Sequence, residues 1–168
     1  SITDNNIATI NGSTVSILAV GATFVTVNQA ADSNYNSGTA TMTLRVRMNP
    51  TIIFDDITKT FGNADFVVTA TSNRSGAMIY AVSDSSIASI TVSLISINEA
   101  GTSIVSVNQA AAGNFNSGTA TMTLLVNKAD PIIAIIDITK TYGDLDFSLS
   151  ATSSSTGEFT FSIADSPI

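Results

Sequence analysis

Along most of this chain hydrophobic and polar residues alternate with a period of two, the pattern of half-buried strands. In DFSLSAT, Phe147, Leu149 and Ala151 alternate with Asp146, Ser148 and Ser150. In TATMTLLV, Ala120, Met122, Leu124 and Val126 share one face, with Thr119, Thr121 and Thr123 opposite. VSLISIN at 92–98 and TSIVSVN at 102–108 flank a short EAG link, which reads as a hairpin connection. The pattern predicts strands near 51–57, 64–71, 77–82, 87–90, 92–98, 102–108 and 119–127, with turns at SNRSG and SDSS. No stretch carries a helical period. Short strands packed this closely predict an all-β fold, an antiparallel β-sandwich.

The pattern also repeats. NQAADSNYNSGTATMTLRV at 28–46 returns as NQAAAGNFNSGTATMTLLV at 108–126, identical at fifteen of nineteen positions and offset by 80. DNNIATI at 4–10 matches DSSIASI at 84–90 with the same offset. DITKTFGNADF at 56–66 matches DITKTYGDLDF at 137–147, now offset by 81. The extra residue falls in NKAD, before Pro131, where RMN precedes Pro50. Linkers tolerate such length changes and strands do not.

These prolines set the phase. Residues 1–49 match the C-terminal part of a repeat, 50–128 a complete repeat, and 129–168 a linker and the N-terminal part of the next. Half a sandwich leaves strand edges and an apolar face uncovered. Two readings follow: a window onto a longer array, which leads, or flanking pieces that complete each other head to tail between molecules. Closure within one molecule is disfavoured, because the complete repeat separates the two pieces.

Composition narrows the function. The chain of 168 residues carries 13 acidic and 6 basic residues, a net charge of −7. Six scattered cations cannot replace the counterions of a nucleic acid, and they do not favour an anionic membrane surface. No apolar run is long enough to span a bilayer as a helix, so no membrane insertion is expected of this segment. Cysteine, histidine and tryptophan are absent, which removes thiol catalysis, Cys/His zinc sites and a histidine base. Glu99 and Glu158 stand at non-equivalent positions, and no carboxylate pair belongs to a cleft-forming constellation. No catalytic residue and no enzyme activity are expected.

The polar loop NQAADSNYNSG could bind sugar hydroxyls through its amides. Tyr35 becomes Phe115 in the second copy, so the ring reads instead as an anchor pinning the loop. No cofactor is expected. Calcium is the one cation the acidic residues could take, with Asp55, Asp56 and Asp137 as candidates. The default for these residues, and for the recurring Asp4, Asp84 and Asp165, is turn formation. Lys59 and Lys140 recur within ITKT and could enter a side-chain amide cross-link if buried. The threonine face of TATMT resembles one strand of an ice-binding array, which needs several side by side. The expected core comprises Phe66, Val68, Ile95, Ile97, Val105, Val107, Phe115, Met122, Leu124 and Val126.

The segments NKADPII, ITKTYGD, SIASI and GNFNSGTATMTLLV resemble the bacterial immunoglobulin-like tandem repeats of giant secreted adhesins, as in gliding and related Gram-negative bacteria. The resemblance covers essentially the whole chain. It implies export to the bacterial cell surface and a non-catalytic structural or adhesive role in an extended stalk or filament. It also implies neighbouring repeats, of the same or identical chains, as partners. A module binding a surface glycan or protein receptor through loops near 72–76 or 108–118 is the rival expectation. A self-assembling fibre subunit completed by strand exchange is the third.

Overall fold

The computed structural model describes residues 1–164, and no helix occurs among them. The chain divides into two compact units, Ser1–Asn127 and Lys128–Ile168. Asp165, one of the recurring aspartates, lies outside the described residues.

The first unit opens with two hairpins. Strands β1 (Ala8–Asn11) and β2 (Thr14–Ile17) pair antiparallel, as do β3 (Gly21–Gln29) and β4 (Gly38–Val46). The complete repeat follows. It comprises β5 (Ile52–Ile53), β6 (Ile57–Thr60), β7 (Phe66–Val67), β8 (Thr71–Ser72), β9 (Met78–Val82), β10 (Ala88–Thr91), β11 (Leu94–Ile97), β12 (Gly101–Gln109) and β13 (Gly118–Asn127). One sheet runs β6-β13-β12-β9, a second runs β10-β11-β7, and β5 pairs with β8. In the second unit β14 (Ile133–Ile135) pairs antiparallel with β15 (Ala151–Ser153).

Both larger sheets feed one core. Ala88 and Ile95 from the three-stranded sheet meet Val105, Met122, Leu124 and Val126 from the four-stranded one, with Val68 and Ile87 completing the cluster. The complete repeat is thus sandwich-like. Strand alternation places these residues on inner faces, and burying one such aliphatic side chain contributes about 1.5–3 kcal/mol. Of the expected core, Val68, Ile95, Val105, Val107, Met122, Leu124 and Val126 are buried. Phe66 and Ile97 pack against the cluster half-buried, and Phe115 lies half-buried in a loop outside it.

Four features depart from the sequence reading. First, β6 runs parallel to β13, so the four-stranded sheet is mixed rather than antiparallel. Second, the expected strand at 51–57 breaks in two. β5 pairs with β8, the chain crosses at Phe54–Asp56, and β6 joins the other sheet. Third, the strand expected at 64–71 breaks between β7 and β8, where the Ala70 N–H donates to the Tyr80 hydroxyl at 3.1 Å.

Fourth, the EAG link is not a hairpin connection, because β11 and β12 belong to different sheets. At the crossing, the N–H groups of Asn98 and Glu99 both donate to the Ile87 carbonyl, at 2.9 and 3.2 Å. A Cβ on Gly101 would press on the end of the Ile87 side chain, and its φ of 156° is one that L side chains rarely adopt, so glycine suits the place where the chain passes over Ile87. The true hairpin lies one step earlier. β10 and β11 close at Thr91↔Leu94, leaving Val92 and Ser93 as a two-residue turn. Val92 has φ 60°, a left-handed conformation unusual for a β-branched side chain. Gly12, at the matching place between β1 and β2, has φ 62°.

The repeat is faithful at the level of hydrogen bonds. β3–β4 and β12–β13 share one register, from Gly21↔Val46 and Gly101↔Val126 to Gln29↔Gly38 and Gln109↔Gly118. β5–β8 and β14–β15 correspond likewise, with Ile52↔Ser72 matched by Ile133↔Ser153.

Candidate functional site

The loops named as a binding surface, 72–76 and 108–118, meet at one end of the complete repeat. Gln109 continues the inward series Val105, Val107 along β12, which brings its carboxamide into the interior. It is fully buried. Its Oε1 accepts from the Ser72 hydroxyl at 2.9 Å, and its Nε2 donates to the Gly76 carbonyl at 3.3 Å. The Ser72 hydroxyl oxygen also accepts from the Arg74 N–H at 3.3 Å. A buried amide left unpaired is costly, so these bonds tie loop 72–76 to the end of β12.

Arg74 extends the tie. Its guanidinium donates to the Ala110 carbonyl and lies 5.7 Å from the centre of the Phe115 ring. Its Nε is buried without a hydrogen-bond partner. Phe115 is bracketed from the other side by the linker. Met48 N donates to the Asn114 carbonyl at 2.8 Å, Asn116 N donates to the Met48 carbonyl at 2.9 Å, and the Asn116 amide donates to Asn49 at 2.9 Å. The loop is therefore held by its own repeat and by the strand entering it. Gln109, Ser72 and the Asn116 amide spend their side-chain hydrogen bonds inside the protein.

The matching loop at 30–37 differs. Tyr35 is 76% exposed, and the loop closes instead on Asp32, whose carboxylate accepts from the N–H groups of Asn34 and Tyr35, both at 2.8 Å. The Asn34 N–H, with Tyr35 behind it, holds the Asp32 pKa below its ordinary value.

Of the aspartates, Asp56 braces a strand end, and Asp4 and Asp84 close turns. Asp56 Oδ1 accepts from the Thr123 N–H at 2.6 Å, bracing the crossing between β5 and β6. Asp55 and Asp137 are exposed. Asp84 Oδ1 accepts from the Ser86 hydroxyl at 2.7 Å and its N–H at 2.9 Å, and these bonds lower the Asp84 pKa, the hydroxyl most. Asp4 repeats the backbone bond with Asn6 at 2.9 Å. Among the described residues no group of three or more acidic side chains is placed to hold a metal ion.

Lys59 is half-buried with its ammonium 4.7 Å from the centre of the Phe66 ring, and Lys140 sits 5.0 Å from Phe147. Both lysines stack on an aromatic face seven residues further along the chain. Thr119, Thr121 and Thr123 stand on the outer face of β13 beside Asn108, Ser106 and Ile104 of β12. The threonine run therefore occupies one strand of a mixed surface. No helix of the described residues is long and apolar enough to cross a membrane.

Sequence reasoning missed Gln109 as a buried anchor. The signal was present: the period-two series Val105, Val107 ends on it, and NQ stands unchanged in both copies. No protein-family model matches the chain, and no curated protein matches it.

Proposed function

We propose that the chain is a non-catalytic structural repeat module of an extended bacterial cell-surface adhesin. The single observation that carries this reading is the register-for-register recurrence of β3–β4 in β12–β13 and of β5–β8 in β14–β15. Repetition at this level builds length from one unit, with stability a sum of unit and neighbour terms. The linker bonds of Met48 and Asn49 to the loop at 114–116 hold the entry strand against the repeat it opens. The bonds of Gln109 to Ser72 and Gly76, which tie loop 72–76 to the end of β12, favour this scaffold role over a receptor-binding one.

The test has two readouts on one antibody-detected chain. Intact cells of the source organism are expected to stain at the surface, and the purified chain is expected to give no saturable binding on a glycan array. Staining only after permeabilisation, or tight saturable binding to one glycan, would overturn the reading.

A further inference from the structure

The two short hairpins share one register, from Ala8↔Ile17 and Ala88↔Ile97 to Asn11↔Thr14 and Thr91↔Leu94. Their turns differ chemically. The first reads Asn11-Gly12-Ser13-Thr14, and the second Thr91-Val92-Ser93-Leu94. Asn11 is exposed, and Gly12 stands at φ 62° with nothing within 4 Å of where a Cβ would sit. The place is just as open in the complete repeat, where Val92 is 85% exposed although both sheets are formed around the core. The openness therefore belongs to the turn itself.

An asparagine carboxamide and the backbone nitrogen of the next residue are one ring closure apart. That nitrogen can attack the side-chain Cγ and form a five-membered succinimide. A Cβ on the following residue crowds the approach, and a hydrogen-bonded carboxamide is held away from it. Asn11 meets neither obstacle. It is the one asparagine of the chain that glycine follows. Asn63 and Asn73 accept from the N–H groups of Thr60 and Thr51, both at 3.0 Å, and precede Ala64 and Arg74. Asn98 and Asn116 donate to the Ser85 carbonyl and to Asn49, both at 2.9 Å, and precede Glu99 and Ser117. Among the described residues the exposed Asn11 carboxamide has no such partner.

We propose that Asn11–Gly12 is a site of covalent self-modification, at which the first turn converts to isoaspartate and aspartate while its twin at Thr91–Val92 cannot. The Gly12 nitrogen bonds to Asn11 Cγ and the Cγ–Nδ2 bond breaks. The proton that the Gly12 nitrogen gives up leaves with Nδ2 as ammonia, so hydroxide acts only as a catalyst. Water then adds to either ring carbonyl and breaks its bond to the Gly12 nitrogen, which takes a proton from that water. Opening at Cγ gives aspartate. Opening at the α-carbonyl gives isoaspartate, with the chain now running through Cβ and Cγ. No atom changes oxidation state.

The extra backbone carbon displaces the rung Asn11↔Thr14 beside the turn, and the new carboxylate adds one negative charge to a chain at −7. The first hairpin loosens at its tip, whereas the second keeps its register. The inference stands on the chemistry of the turn and not on the module reading.

Hydroxylamine detects the ring directly, because it displaces the Gly12 nitrogen from the succinimide and so cuts the chain. The folded chain in mildly alkaline hydroxylamine is expected to yield the fragments 1–11 and 12–168. Asn11→Gln and Gly12→Val are each expected to lose the cut. Thr91→Asn/Val92→Gly, which moves the pair into the complete repeat, is expected to gain a second cut after residue 91. Ageing at the same pH without hydroxylamine is expected to produce a more acidic species on ion exchange. That species is expected to accept a methyl group from an isoaspartyl methyltransferase, and Asn11→Gln to produce none of it.

A cut that appears only in urea would show that the folded turn withholds the ring geometry, and would overturn the proposal. So would a Gly12→Val chain cut as fast as the parent, or no second cut in the Thr91→Asn/Val92→Gly chain. Earlier conversion at Asn36, which precedes Ser37, would overturn it as well.

Discussion

The Asp56 carboxylate accepts a hydrogen bond from the Thr123 backbone N–H at 2.6 Å, across 67 residues of sequence. The bond closes the sheet where the chain has left β5 and not yet entered β6. Asp56→Ala is expected to cost about 1 kcal/mol, and Asp56→Asn, which keeps the acceptor, less than half of that. Urea unfolding of both variants checks the order. With this carboxylate engaged by backbone, adding calcium or a chelator is expected to leave the thermal midpoint unchanged.

Met122 and Met42 occupy one position in two copies, one buried and one 58% exposed. Met122→Ala is expected to cost about 2–5 kcal/mol, as for other buried large-to-small changes. Met42→Ala in the dilute single chain is expected to stay within about 0.5 kcal/mol. Equal losses measured by urea denaturation would show that the two faces are equally covered.

Val92 sits in the first position of a two-residue turn at φ 60°, where Gly12 serves in the other copy. Only the first of the two turn residues has positive φ, the arrangement that favours glycine there. Val92→Gly is expected to raise stability by about 1 kcal/mol, relief of backbone strain outweighing the greater freedom of the unfolded glycine. Gly12→Val is expected to lower it, and thermal melts of the pair give both signs.

Asp84 has its folded-state pKa lowered from 3.8 by the Ser86 hydroxyl and N–H. The ionised form is therefore favoured in the folded chain. Its contribution is complete above the unfolded value and disappears as pH falls through the lower, folded one. Asp84→Asn, which imitates the neutral acid, is expected to be less stable than the parent near neutrality and equal to it in strong acid. Unfolding midpoints of the two chains across an acid titration test the convergence. A gap of constant size would contradict it.

The long strands were legible because Val105, Val107, Met122, Leu124 and Val126 repeat an inward position every second residue. The partners of those strands were not. A period of two reads identically whether the next strand turns back beside its neighbour or crosses to the opposite sheet, so the link before Gly101 looked like a hairpin. The interruptions at Phe54–Asp56 and before Thr71 were equally hidden. There single side chains take over backbone bonds with distant segments, Asp56 accepting from the Thr123 N–H and Tyr80 from the Ala70 N–H, and no local pattern announces that. The loop site was legible in its members but not its wiring, since Arg74, Gln109 and Phe115 come together only through folding.

The parallel pairing of β6 with β13 has a mechanical consequence. The chain enters the complete repeat through the two-residue β5, continues into β6 and leaves after β13, and β6 and β13 lie side by side pointing the same way. Pulling the two ends apart drives the strands past one another along their length. The rungs from Ile57↔Leu124 to Thr60↔Asn127 then bear the load together in shear, rather than unzipping one at a time. A tether assembled from such repeats would resist tension at the seam where the strand after its entry meets its last strand.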